Sequence, residues 1–275
     1  MELYAATSYR IAKVLTNQYS TSFSYSSKFF SPSIRSHIYA VYGMVRVADE
    51  IVDSYQGADA KIILSSFKKD VLSHMSKTNS FSPNPIIQAF SLTAKRYGIS
   101  EEHVVSFFNS MEMDLTKKTF TASEYAEYIY GSAEVIGLMC LKIFCANNAQ
   151  DYEALSPAAK ALGSAFQKVN FLRDIAADHH KRGRYYFPQG SFETFDDSVK
   201  QHIEQDISND FAIARAALPE LPVEARKALR MAYAYYFELF TILKRASASN
   251  LKQQRFRVPA SKKLYLLAKE ALRSL

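Results

Sequence analysis

VRVADEIVD, Val45–Asp53, sets Asp49 and Asp53 one helical turn apart in a run otherwise fit for burial. Like charges at i and i+4 cost a helix roughly 0.2–0.5 kcal/mol. Drawn away from water, such a pair repels by about 4 kcal/mol at 4 Å in an intermediate dielectric. The pattern therefore calls for positive charge beside it. Read as a helix, Tyr42, Arg46, Asp49 and Asp53 form one polar stripe about 16 Å long, at 1.5 Å per residue. Val41, Val45, Ala48 and Val52 fall on an adjacent face that can pack.

The rest of the chain agrees with a helical reading. Its 275 residues are 48% hydrophobic and 22% charged, with only eight glycines and eight prolines. Ala, Leu, Lys and Tyr recur at spacings of three and four, and alternating β-branched runs are scarce. One all-α domain over 1–275 is expected. Turns are expected at TNSFSPNP (78–85), SPAA (156–159), FPQGSF (187–192) and LPELPVEA (218–225). The apolar run VIGLMCLKIFCA (135–146) is too short to span a bilayer and carries Lys142, so it reads as a buried helix. MELYAATSYR lacks the layout of a secretion signal, which points to the cytoplasm. Cys140 and Cys145 suit neither a zinc knuckle nor a disulfide and read as reduced core thiols.

A second polar stripe lies in AFQKVNFLRDIAADHHKRGRYYFP (165–188). Gln167, Asn170, Asp174 and Asp178 stand at i, i+3, i+7 and i+11, again ending in carboxylates one turn apart. Two such stripes facing each other in a bundle would bring four carboxylates to one chamber, which requires cations between them. Oxygen ligands without His or Cys favour Mg²⁺ or Mn²⁺ over zinc. Mg²⁺ held by few carboxylates keeps positions open for phosphate oxygens, and Arg46, Arg173, Arg182 and Arg184 suit the same anion. The chemistry implied is metal-assisted departure of diphosphate. His179 and His180 are adjacent and face different ways on a helix, so they are set aside as ligands.

These two stretches resemble the aspartate-rich motifs of the squalene/phytoene synthase family, which joins isoprenoid diphosphates head to head. YSTSFSYSSKFFSP (19–32), YIYGSAEVIGLM (128–139) and RFRVPASKK (255–263) are similar to further segments of that family. The resemblance implies an isoprenoid-synthase bundle with a central cavity. It implies Asp49, Asp53, Asn170, Asp174 and Asp178 as metal ligands, with Arg46 and Tyr130 joining the four aspartates in the catalytic set. Tyr19, Ser20, Thr21, Ser22, Gln167, Arg173, Arg184, Tyr235 and Arg255 would contact diphosphate or its neighbours. Phe23, Tyr42 and Tyr130 would line the cavity. Glu50 stands where many members have a third aspartate and is expected to point off the stripe. Glu134 replaces a glycine common in the family, and its role is open.

The implied reaction ionises one allylic diphosphate, lets the second substrate's double bond attack, and ionises the cyclopropylcarbinyl diphosphate formed. The wording GRYYFP and MEMDL favours phytoene synthase, acting on two geranylgeranyl diphosphates in carotenoid biosynthesis. Dehydrosqualene or squalene synthase, acting on two farnesyl diphosphates, is the alternative. A non-catalytic assembly factor of the same fold is a third reading, but both aspartate stripes are intact. No dinucleotide fingerprint occurs, so NADPH is not expected. The net charge of +7 collects in the tail: nine Lys and Arg from Lys244 onward face Glu270 alone. No nucleic-acid motif accompanies it; peripheral contact with the inner face of an anionic membrane is expected instead.

Overall fold

The computed structural model describes residues 2–55, 57–77, 81–146 and 148–272. Helices follow one another: α1 (Glu2–Tyr19), α2 (Thr21–Ser27), α3 (Pro32–Asp53), α4 (Ala60–Ser76), α5 (Pro85–Tyr97), α6 (Glu101–Thr116) and α7 (Ala122–Ile129). A π-helical turn, Tyr130–Glu134, joins α7 to α8 (Val135–Phe144). Then come α9 (Ala149–Arg182), α10 (Asp197–Ala217), α11 (Val223–Arg245), α12 (Ala248–Leu251) and α13 (Ala260–Leu272). No strand occurs among the described residues.

Local chemistry sets the ends. Asn84 caps α5 ahead of Pro85, and Gly98 closes it in the left-handed region at φ 61°. Thr121 and Glu124 exchange the bonds of a capping box at α7. Asn148 starts α9, and Gly183, at φ 64°, stops it.

α9 corrects one expectation. SPAA is no turn: Pro157 lies inside a 34-residue helix. Proline removes a backbone bond and costs a helix interior about 3 kcal/mol. Close packing at the same level offsets this. A Cβ on Gly137 of α8 would stand 2.5 Å from the Ala159 carbonyl, so the two backbones nearly touch. Leu155 and Ala161 are buried on either side. The other turns hold where they are described: 187–192 is non-helical and LPE (218–220) forms one 3₁₀ turn, while 78–80 fall outside the described residues. The run from Val135 is the expected buried helix, and both cysteines are free thiols.

Two apolar cores result. The first gathers Met44, Leu64, Phe90, Phe107, Phe108 and Met139 from α3–α6 and α8. The second gathers Val169, Leu172, Ile207, Phe211 and Leu239 from α9–α11. Burying each such side chain contributes about 1.5–3 kcal/mol. Val41, Ala48 and Val52 sit in the first core, as their spacing predicts, and Val45 packs against it. α3 and α9 are not close-packed neighbours. Each polar stripe is thus fastened to a different core, and side chains alone cross between the two helices.

Candidate active site

The stripes meet at their C-terminal ends. Arg182 spans them: its Nη1 donates to Asp178 Oδ1 at 2.9 Å, and its Nε lies 3.3 Å from Asp53 Oδ1. Arg184 reaches the same Asp53 oxygen at 2.9 Å. Between these arginines stands Gly183, whose positive φ ends α9 and turns the chain back toward α3. At the other end of the second stripe, Asp174 accepts from Arg173 Nη2 at 2.5 Å and pairs with Arg255 Nε at 2.6 Å. Every stripe aspartate therefore has a guanidinium beside it, Asp49 through Arg46 at 4.0 Å.

Burial dominates the electrostatics. It pushes Asp49 up to about 7, with Asp53 and Asp114 adding repulsion against the pull of Arg46. It pushes Asp178 up to about 6, where Asp174 and Asp53 add to it and Arg182 opposes. These carboxylates are short of positive charge despite their arginines.

The remaining expected residues cluster around this line. Tyr19 carries Arg46 over its ring at 4.3 Å. Ser20 caps α2, accepting from the Phe23 N–H at 3.2 Å, and also bonds Tyr42. Phe23 stacks on Tyr42 with centroids 5.1 Å apart. The side chains of Thr21 and Ser22 lie outside the described residues. Gln167 is half-buried on the α9 stripe. Tyr130 opens the π turn, half-buried, with Lys160 over its ring at 5.3 Å. Tyr235 is half-buried beneath Lys263 at 5.4 Å.

The placements of Glu50 and Arg184 differ from expectation. Glu50 does not stand apart: it takes the Arg46 guanidinium, because i and i+4 share a face and arginine is long enough to span them. Arg184 is not presented at the surface of the site; it is buried, with its Nη donors held by Asp53, Tyr186 and two backbone carbonyls. Glu134 has Lys160, Asp210 and Lys168 as its charged neighbours. His179 stacks on Phe192 at 3.9 Å, away from the aspartates. His180 borders a cavity of about 500 Å³ that none of the stripe residues lines.

Three residues gain roles that the sequence does not show. Spacing marks Arg182 only as a neighbouring cation. Tyr236, stacked on Phe166 at 3.9 Å, accepts a hydrogen bond from the Asn170 side-chain N–H. Asp114 is 5% exposed and accepts from Tyr128 at 2.7 Å and Tyr186 at 2.9 Å. Only the apolar setting of MEMDL hints at its burial.

The donor set fits an oxygen-preferring cation. Asn170 Oδ1, beside Asp174 on the stripe, is buried without a hydrogen-bond partner. Such an atom is costly unless something occupies it. The Nε of Arg46 is likewise buried without a hydrogen bond, which suits an anion. The carboxylates themselves are engaged by arginines, and among the described residues no three acidic, His or Cys side chains converge as a metal cluster.

An all-α bundle with two aspartate stripes brought together by arginines defines the class: an isoprenoid-synthase fold. A dehydrosqualene synthase solved with a ligand superposes with a TM-score of 0.82 over 98% of both chains, at 20% identity. The squalene/phytoene synthase family profile matches residues 16–262, so the chain belongs to that family of head-to-head condensing prenyltransferases. The 4,4'-diapophytoene synthase of Staphylococcus haemolyticus is 27% identical over 74% of this chain and 70% of its own length. The chloroplastic phytoene synthase 3 of Zea mays is 27% identical over 94% of this chain, which spans 64% of the maize enzyme.

Proposed function

We propose that this enzyme condenses two geranylgeranyl diphosphates to phytoene through a cyclopropylcarbinyl diphosphate. The observation that carries this reading is the meeting of two aspartate stripes around Arg182, with Asn170 Oδ1 left without a partner. Asp49, Asp53, Asn170, Asp174 and Asp178 would hold Mg²⁺, or Mn²⁺, whose charge offsets that of the departing diphosphate. Arg46, Arg173, Arg182 and Arg255 line the same place and bind its oxygens. Half-buried rings, Phe23 on Tyr42 and Phe166 on Tyr236, offer faces to an allylic cation. Each face stabilises a desolvated cation by about 0.5–2 kcal/mol. The packed aromatic walls also keep water from the cation.

Two farnesyl diphosphates giving dehydrosqualene is the second reading, favoured by the likeness to the staphylococcal 4,4'-diapophytoene synthase. Incubation with Mg²⁺ and either C15 or C20 diphosphate, with and without NADPH, separates the two by mass spectrometry. A C40 hydrocarbon formed without NADPH supports the first reading, and a C30 hydrocarbon the second. No hydrocarbon from either substrate would point to an assembly role.

No described helix is long and apolar enough to cross a membrane. α13 exposes Leu264 and Tyr265 at 67% and 56%, beside Lys262, Lys263 and Lys269. An apolar face flanked by lysines suits an anionic lipid surface, where greasy substrate and product both reside. We therefore picture a cytoplasmic enzyme that meets the inner membrane face through α13.

A further inference from the structure

Behind the aspartate stripes lies a group that the proposed reaction leaves unused. Asp114, on α6, is 5% exposed and belongs to neither stripe. Its Oδ1 accepts from Tyr186 at 2.9 Å and lies 3.5 Å from Arg184 Nη1, and its Oδ2 accepts from Tyr128 at 2.7 Å. Arg184 Nη2 donates to the Asp114 carbonyl at 2.8 Å. Arg184 Nη1 also donates to Asp53 Oδ1 at 2.9 Å. One buried guanidinium is thus shared between a stripe carboxylate and an interior one. Aromatic packing fixes the arrangement: Tyr186 stacks on Phe171 at 4.0 Å, 7° from parallel, and on Phe120 at 5.2 Å.

We propose that Asp114 is a positioning residue that acts through Arg184, balancing its charge so that Asp53 is aimed yet left free to bind a cation. Arg184 cannot lose its proton, and its setting is too dry for water to neutralise it. With Asp114 ionised beside it, Arg184 has a permanent counterion and holds Asp53 by one directed hydrogen bond. Without the Asp114 charge, Asp53 becomes the only carboxylate paired with Arg184. An incoming cation must then break a full ion pair with Arg184, beyond the Arg182 contact at 3.3 Å, to reach it. Tyr128 and Tyr186 keep the Asp114 carboxylate turned toward Arg184.

This inference rests on the metal–diphosphate reading of the stripes, and the test separates the two. Calorimetric titration of inorganic diphosphate is run at a series of Mg²⁺ concentrations, on wild type, Asp114→Asn, Arg184→Gln and the double variant. Asp114→Asn is expected to raise the Mg²⁺ needed for half-maximal binding about tenfold, the scale of one lost charge pairing. Adding Arg184→Gln should bring the requirement back to within about threefold of wild type, because the competing cation goes with its counterion. A purely structural Asp114 would make the double variant worse than either single one. If Asp114→Asn does not fold, Arg184→Gln still decides, since it must not raise the Mg²⁺ requirement. An unchanged requirement in Asp114→Asn, or a double variant worse than both singles, overturns the proposal. Wild type that binds diphosphate equally with and without Mg²⁺ overturns the site reading itself and the proposal with it.

Discussion

Asp178→Asn removes a charge and almost no volume from the most buried of the stripe aspartates, whose side chain is 12% exposed. Burial and the neighbouring Asp174 and Asp53 raise its carboxyl from 3.8 to about 6, even against Arg182. In the unfolded chain the group titrates near its ordinary value, so the unfolded state ionises first as pH rises. Folding stability is therefore lost between pH 3.8 and about 6, and the full deficit persists above. A shift of this size corresponds to about 3 kcal/mol. The uncharged amide of the variant mimics the protonated carboxyl and escapes the deficit. At pH 8 without divalent cations the variant should melt about 6–12 °C above wild type, at about 2–4 °C per kcal/mol. Near pH 4 the difference should vanish, because wild-type Asp178 is then protonated as well. Turnover should be lost at any pH, because a proposed metal ligand of the second stripe is gone. Calorimetric melting at the two pH values, beside a hydrocarbon assay, checks all three points. A variant less stable than wild type at pH 8, or equally stabilised at both, refutes the argument that these carboxylates lack positive charge.

Mg²⁺ together with inorganic diphosphate should stabilise the enzyme by roughly 2.7 kcal/mol at a hundred times the dissociation constant. Asp49→Asn should shrink that gain, and a melting curve moved equally by NaCl at matched ionic strength would count against the site. Vesicle binding should fall steeply with salt and fall again when Lys262, Lys263 and Lys269 become Gln; co-sedimentation with anionic vesicles that ignores both changes returns the tail to an ordinary solvated face. Gly137→Ala should destabilise the fold by about 1–3 kcal/mol, since its Cβ would meet the Ala159 carbonyl at 2.5 Å. A denaturant midpoint unchanged from wild type would show that the α8–α9 contact gives way easily.

Much of the fold is readable in the sequence because helix periodicity is local. Val41, Ala48 and Val52 go inward where their spacing puts them, and the stripe on α9 follows the same rule. Pro157 misleads because its cost is local while the compensation, Gly137 against Ala159, comes from another helix. Glu50 misleads when the aspartates are treated as the whole stripe, because Arg46 reaches it directly. Asp114 cannot be found at all from spacing. Its meaning comes from Arg184 and two tyrosines, one of them 72 residues away, which no pattern within α6 contains.

The ends of α3 and α9 have an electrostatic consequence. Asp53 is the last residue of α3 and Arg182 the last of α9, so both stripes finish at helix C-termini. Each such end carries roughly half a negative charge from its aligned peptide dipoles. Asp49, Glu50, Asp53, Asp114, Asp174 and Asp178 make six carboxylates; Arg46, Arg173, Arg182, Arg184 and Arg255 make five guanidiniums. With all six ionised, above the value near 7 to which Asp49 is raised, six against five leaves one negative charge, and the two helix ends deepen it. A bare diphosphate approaching this mouth meets a repelling field, whereas a dication is drawn in. Loading should accordingly have an order, with cations entering ahead of the diphosphate or together with it. Diphosphate on-rates should rise with Mg²⁺ concentration and not merely saturate with it.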